Sequence, residues 1–278
     1  MKIFVTGASG FIGQHLIRLL QEKSVIFIAA KHDVDICDLS VPSDVTHIIH
    51  LAAESYVPDS WERPENFLRT NTLGTQHILE EARKASAHVV FMSSYVYGPP
   101  AYLPVDENHP VQAFNPYCLS KVLAEQLCHF WAKNFDLNIS VIRPFNIYGE
   151  HQRSAFLIPT MMDQFFDPEC SKIVVQNTVS RRDYLHVSDL CHLIFLSLRC
   201  TGLQTFNAGS GSSFSVKDLW ELMRFATDMD KPLCSSDMER KNEVSDVVAD
   251  IRYPEKVLGW KPEISLEHGI RSLVRSYQ

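Results

Sequence analysis

The sequence predicts an α/β fold in which a doubly wound parallel sheet is followed by a smaller C-terminal lobe. Three observations predict it. Short β-branched runs alternate with helix-period stretches through the first half of the chain. Those runs are continuously apolar, as strands covered on both faces must be. After about residue 150 the alternation gives way to a looser mix of elements.

Taken in order, the strands are 2–6, 25–29, 47–52, 88–93 and 139–144, with amphipathic helices over 11–21, 65–84 and 116–135. The 30–46 link is too short, polar and Pro-interrupted for a full crossover helix, so this part of the winding is abbreviated. Beyond residue 150, 172–175 and 182–187 read as strands, 188–198 as a helix and 205–210 as a strand or turn. Helices follow over 215–226, with Ser215 as its N-cap, and over 264–277. Residues 1–150 form one domain and 151–278 most of a second lobe, with 181–200 expected to pack back onto the first. Ligands of such sheets bind in the cleft at the strand C-terminal ends.

The 278 residues, 45% of them hydrophobic, suffice for a substantial core. A net charge of -7 supplies no broad cationic field for nucleic acid or an anionic membrane, so any phosphate must be held by local donors. Glycines interrupt the apolar start "MKIFVTGASG", which excludes a signal peptide or membrane span there and points to a cytoplasmic chain. Seven scattered cysteines without C-x-x-C, and twelve histidines without H-E-x-x-H, predict neither a disulfide framework nor a catalytic metal. Asn138 of "NIS" reads as the start of a strand rather than a glycosylation acceptor.

Chemistry first shows in "TGASGFIG". Gly7, Gly10 and Gly13 lie directly after the first strand and open the first helix. Glycine permits the tight turn and the approach of a pyrophosphate to backbone N–H groups, and a helix N-terminus favours negative charge. The arrangement is Rossmann-type and its expected ligand is a dinucleotide. The second signal is Tyr117 four residues before Lys121 on a predicted helix, which sets a phenol and an ammonium on one face.

Together with these, "HLAA" (50–53), "FMSSYVYG" (91–98), "RPFNIYG" (143–149), "RRDYLHVSDL" (181–190), "FNAGSG" (206–211) and "VVADIRYPEKVLGWKP" (247–262) make the chain resemble the extended short-chain dehydrogenase/reductase family. Within it the likeness is to nucleotide-sugar epimerases and ketoreductases, and it covers nearly the whole chain. The resemblance implies that Tyr117 exchanges a proton with a sugar hydroxyl or ketone while a nicotinamide exchanges hydride. Lys121 modulates the phenol and binds the nicotinamide ribose. Holding a phenol ready near neutrality, about three units below its free value, needs roughly 4 kcal/mol of selective phenolate stabilisation.

In the family pattern the third group is a hydroxyl four residues before a tyrosine. That spacing selects Ser93 as catalytic and leaves Ser94 to a turn hydrogen bond at the substrate wall. Related dehydratases carry Asp-Glu after the hydroxyl residue; Ser94 and Tyr95 stand there instead, which argues against a 4,6-dehydratase. The resemblance also assigns Phe11, Ile12, Asp35, Ile36, Leu51, Ala52, Ala53, Asn71 and Pro144 to the cofactor. Asn146, Leu157, Arg182 and Arg240 fall to the nucleotide sugar, its base lying along 154–159. An acidic residue usually ends the second strand of an NAD enzyme; here Ala30, Lys31 and His32 follow, and Lys31 favours NADP over NAD.

Two activities remain open: a nucleotide-sugar 4-ketoreductase, favoured by Lys31, and a 4-epimerase with tightly held NAD. A non-catalytic NAD(P) sensor ranks below both, because Ser93, Tyr117 and Lys121 are all retained. The resemblance also implies a homodimer that pairs helices 65–84 and 116–135 into a four-helix bundle.

Overall fold

The computed structural model describes residues 1–236 and 244–278. Its main sheet has six parallel strands: β1 (Lys2–Thr6), β2 (Ile26–Ala29), β3 (His47–His50), β4 (His88–Met92), β5 (Ile139–Pro144) and, at the far edge, β9 (Leu203–Ala208), in the order β2-β1-β3-β4-β5-β9. This is the doubly wound sheet expected. Central strands are fully covered because helices lie on both faces: α1 (Phe11–Glu22) and α7 (Val187–Ser197) on one, α4 (Gly74–Ala85) and α5 (Pro116–Phe135) on the other. Ile3, Val5, Leu16 and Leu20 meet Leu190, Leu193 and Ile194 on the first side. Ile48, Val89 and Val141 meet Ile78, Leu79 and Cys128 on the second.

The chain returns to the sheet through α7 and β9. β8 (Arg181–His186) instead lies between β6 (Asn146–Tyr148) and β10 (Ser213–Ser215) in a three-stranded sheet. The lobe's own core joins α6 (Leu157–Phe166), α8 (Val216–Thr227) and α10 (Leu266–Tyr277) through Ile158, Met162, Phe165, Leu219, Met223, Ile270 and Leu273. Ser215 caps α8 in a reciprocal capping box with Asp218. β7 (Ile173–Val175) pairs with β11 (Leu233–Ser235), and α9 (Arg252–Leu258) packs near β9.

The predicted 65–84 helix runs unbroken from Pro64 to Ala85, with a change of winding inside it. α2 (Val57–Glu62) and α3 (Pro64–Phe67) precede a π-helical stretch, Leu68–Leu73, before α4 begins. Period alone does not reveal a widened turn, because its cause is a tertiary bond network around Asn71. The 154–159 segment is likewise not only a loop, since Leu157 opens α6. Among the described residues no helix is long and apolar enough to cross a membrane.

Candidate active site

The turn after β1 is shaped by close backbone contact. Gly7 has φ +67°, and a Cβ on it would stand 2.7 Å from the Ala52 nitrogen; a Cβ on Gly13 would stand 2.2 Å from the Gly7 carbonyl oxygen. Gly10 is the N-cap of α1 and provides no side-chain cap, and the first turn holds no acidic residue. The N–H groups of Phe11, Ile12 and Gly13 are thus left for an external acceptor, which suits a pyrophosphate. The Phe11 and Ile12 side chains pack partly against the core.

The loop after β3 lies directly over this turn. Thr6 Oγ1 accepts from Ala52 N at 3.2 Å and bonds His50 Nδ1 at 2.8 Å, while His50 Nε2 meets Thr75 Oγ1 at 3.1 Å. Burial, then the nearby Lys121 charge, holds His50 down to about 3, so it is neutral. Asn71 ties the same loop to α5. It accepts from Glu54 N and donates to Glu54 O and to Ser120 Oγ, each at 2.9 Å, and Ser120 Oγ donates to Tyr117 O at 2.7 Å. Leu51, Ala52 and Ala53 therefore lie in a segment tied at one end to the glycine turn and at the other, through Asn71, to the start of α5, and Pro144 ends β5 as a buried residue.

Asn115 caps α5, accepting from Cys118 N at 2.7 Å, and this sets Tyr117 in the first turn. The Tyr117 ring is half-buried and Ser94 lies close enough to its hydroxyl to act on the phenol. Burial raises the phenol above its ordinary value and Ser94 works against that rise. One turn on, the buried Lys121 donates to the Met92 carbonyl at 2.8 Å, and its ammonium lies 5.1 Å from the Phe91 ring centroid. Burial lowers Lys121 to about 8, offset in part by Cys128 and Glu125.

The two serines are placed differently from the spacing argument. Ser93 is buried and donates to Glu125 Oε1 at 2.5 Å, whereas Ser94 faces the phenol. A buried carboxylate must be satisfied by donors, and the Ser93 hydroxyl is one of those within reach. Counting back from Tyr97 does not detect this, because Tyr97 is itself buried, donating to Asn207 Oδ1 at 2.5 Å.

After β2, Asp35 accepts from Cys37 N and from Arg69 Nη2, both at 2.9 Å. The backbone bond of Cys37, then Arg69, holds this exposed carboxyl below its usual range. The Ile36 side chain turns inward against Gly74 and joins the core. Lys31 is exposed just beyond β2.

Opposite, Asn146 donates to Asp183 O at 3.1 Å. Arg182 donates to the Arg181 and Val244 carbonyls, both at 2.7 Å, and its charge acts on Tyr95. Tyr95 donates to Gly98 O at 2.7 Å and is pushed up to about 12 by burial, with Arg182 opposing. Leu157 is partly buried at the start of α6, and Arg240 lies outside the described residues. Tyr56 meets Phe156 edge-on at 6.3 Å and carries Arg153 over its face at 5.5 Å, which joins the loop after β3 to the lobe.

Glu125 and Arg143 were not singled out in the sequence. Their signals are there: Glu125 extends the Tyr117–Lys121 spacing by another four residues, and Arg143 is a charge inside the apolar run "ISVIRP".

A parallel sheet with an uncapped glycine turn, and a tyrosine and a lysine one turn apart on α5 with a serine near the phenol, define an NAD(P)-dependent enzyme of the dinucleotide-binding α/β class. The chain belongs to the NAD dependent epimerase/dehydratase family, whose model matches residues 3–209. It is 32% identical to a putative UDP-glucose 4-epimerase of Methanocaldococcus jannaschii, across 98% of this chain and 97% of that one. It is 29% identical to the GDP-6-deoxy-D-mannose reductase of Pseudomonas aeruginosa, across 100% and 97%. Among solved structures, RMD from Pseudomonas aeruginosa complexed with NADPH matches at a TM-score of 0.92 and 29% identity, covering 99% and 98% of the two chains. MoeE5 in complex with UDP-glucuronic acid and NAD matches at 0.89 and 26%, covering 99% and 98%.

Proposed function

We propose that this protein is an NAD(P)-dependent nucleotide-sugar oxidoreductase acting at sugar carbon 4, and that its net reaction is reduction of a 4-keto-6-deoxyhexose nucleotide. The observation that carries the reading is Tyr117 with Ser94 close to its phenol and Lys121 one turn along the same face of α5. The nicotinamide, when bound, supplies the hydride for the carbonyl carbon. Tyr117 donates its proton to the carbonyl oxygen as that oxygen becomes an alcohol, and the Ser94 hydroxyl holds the same oxygen in line. Lys121, charged at neutral pH, favours the phenolate left behind against the burial that opposes it.

Tyr95 supports a reductase over a dehydratase, because its hydroxyl is committed to Gly98 O and it titrates too high to serve as a base. NADPH is the proposed reductant: Lys31 follows β2 where an acidic residue would bind an unmodified ribose. Gly7, Gly10 and Gly13 with the N–H groups of Phe11 and Ile12 hold the pyrophosphate, and Asp35 and Asn71 border the adenosine and ribose. Residues 1–150, joined by α7 and β9, form the cofactor domain, and the rest of 151–278 forms the sugar lobe, with Asn146, Leu157 and Arg182 on its wall.

The 4-epimerase reading is favoured by the Methanocaldococcus relative. One experiment separates the two: release of bound nucleotide for mass spectrometry, then NADPH oxidation with 4-keto-6-deoxyhexose nucleotides. The reductase reading expects an empty or NADPH-preferring protein with net turnover, and a Tyr117→Phe variant at least about a hundredfold slower in kcat that still binds NADPH. Stoichiometric NAD without net reduction overturns it in favour of the epimerase.

A homodimer is proposed through α5 and the 68–85 region. Leu73, Leu119, Phe130 and Phe135 are large apolar side chains left exposed there. Light scattering at micromolar concentration should return twice the 31.7 kDa chain mass; a monomer removes the proposal.

A further inference from the structure

Three successive residues at the end of β4 face three successive turns of one side of α5, two of them through hydrogen bonds. The Met92 carbonyl accepts from Lys121, Ser93 donates to Glu125, and Ser94 lies close to the Tyr117 phenol. Tyr117, Lys121 and Glu125 are spaced by four, so they form a single stripe along the helix. The Glu125 end of the stripe is fixed most firmly. Its carboxylate is 4% exposed and sits in the fork of Arg143, with Nε to Oε1 at 3.0 Å and Nη2 to Oε2 at 2.6 Å. Arg143 in turn donates through Nη1 to Tyr97 Oη at 3.0 Å and to Glu107 O at 3.2 Å. Tyr97 and Asn207 carry the network on to β9, where Asn207 N donates to Glu107 Oε1 at 2.8 Å.

A buried ion pair is weak evidence for stability, because apolar side chains of similar size often serve the fold as well. This pair does more than fill space. Glu125 holds the Ser93 hydroxyl, and Ser93 is covalently joined to Ser94, which lies close enough to the phenol to act on it. We infer that Glu125 and Arg143 are a positioning pair which, through Ser93, sets the alignment of the Ser94 hydroxyl on Tyr117. The inference rests on the proposed acid/base role of Tyr117. It assigns Ser93 no contact with substrate; Ser93 acts through its neighbour. A displacement of about 1 Å in a catalytic group is enough to cost on the order of a hundredfold in rate, so loss of the anchor should be visible in turnover.

The test compares full-length Ser93→Ala, Ser94→Ala and the double variant, all of which leave the Glu125–Arg143 pair in place. Turnover and KM are measured with a 4-keto nucleotide sugar and NADPH, folding by thermal melts, and Tyr117 titration by NMR of ring-labelled tyrosine against a Tyr117→Phe reference. The expected result is a Ser93→Ala kcat lower by about tenfold with KM unchanged, and a Tyr117 titration moved upward. The double variant should be no slower than Ser94→Ala, and Ser93→Thr should recover most of the rate because it keeps a hydroxyl.

A Ser93→Ala protein with wild-type kcat and an unmoved Tyr117 titration, altered only in melting temperature, overturns the inference. So does a Ser93→Ala collapse beside a nearly normal Ser94→Ala, which would make Ser93 itself the substrate's hydroxyl partner. If the unaltered protein reduces no 4-keto sugar nucleotide, the proposed function fails and the titration still decides. A Tyr117 shift on Ser93→Ala retains the anchor, and no shift removes it.

Discussion

A Cβ on Gly13 would lie 2.2 Å from the Gly7 carbonyl, whereas across the cleft the Arg182 guanidinium is held by two carbonyl oxygens at 2.7 Å. The turn after β1 presents main chain to its ligand, and the wall around β8 presents side chains already engaged with their surroundings. The difference decides what each region tolerates. A main-chain site is fixed by contacts that only glycine permits, so its residue types are forced. A side-chain site allows several residue types, provided neighbouring groups hold the donor in place.

The largest effect expected from this contrast is at Gly13. Gly13→Ala sets a methyl against the Gly7 and Ala8 carbonyls, 2.2 and 2.6 Å away, inside the packed junction of β1 and α1. Backbone carbonyls cannot rotate aside as a flexible side chain can. The loss of folding stability should reach about 3 kcal/mol, the upper end for overpacking, and NADPH binding should disappear with it. Arg182→Lys, in contrast, should keep the melting temperature within a few degrees. Thermal melts and NADPH titrations of both variants check this, and a Gly13→Ala protein that melts and binds normally breaks the contrast.

The same distinction explains what could be read from the sequence. The strand–glycine–helix junction at 2–22 and the helix 116–135 follow from local rules, and both were legible. Spacing selected Ser93 over Ser94, but what holds Ser93 is Glu125, 32 residues away and paired with Arg143, which spacing does not record. The π-helical stretch at Leu68–Leu73 was hidden for a similar reason. Asn71 bonds Glu54 and Ser120, so the helix widens to meet partners that no local period records. Ile36, read as a cofactor neighbour, packs its side chain in the core against Gly74, a long-range contact that no local pattern records.

Acid should divide the two regions more gently. In the main sheet, burial holds His50 down to about 3 and His88 to about 4, and lowers His47 too; His88 and His47 sit with ring centroids 5.7 Å apart. The unfolded chain titrates its histidines near about 6.5. Below that pH the unfolded state binds protons that the folded sheet refuses, so the stability from neutral histidines, complete above about 6.5, is lost as pH falls toward 4. Each such histidine contributes a slope of up to about 1.4 kcal/mol per pH unit. β8 carries both signs. His186 is lowered to about 4 by burial and then by His15, but burial raises Asp183, which accepts from Ser210 N and Oγ, Gly211 N and Ala249 N. A carboxyl raised on folding gains relative stability as pH falls, so the two groups oppose one another. Hydrogen exchange at pH 7.5 and pH 5, corrected for intrinsic rates, should therefore show the amides of β3 and β4 losing protection before those of β8. His88→Gln should reduce that early loss, because a side chain that does not titrate removes one of the proton-binding differences. Loss of β8 protection first, or an unchanged β3 and β4 in acid, would show that the buried histidines do not set the weaker region.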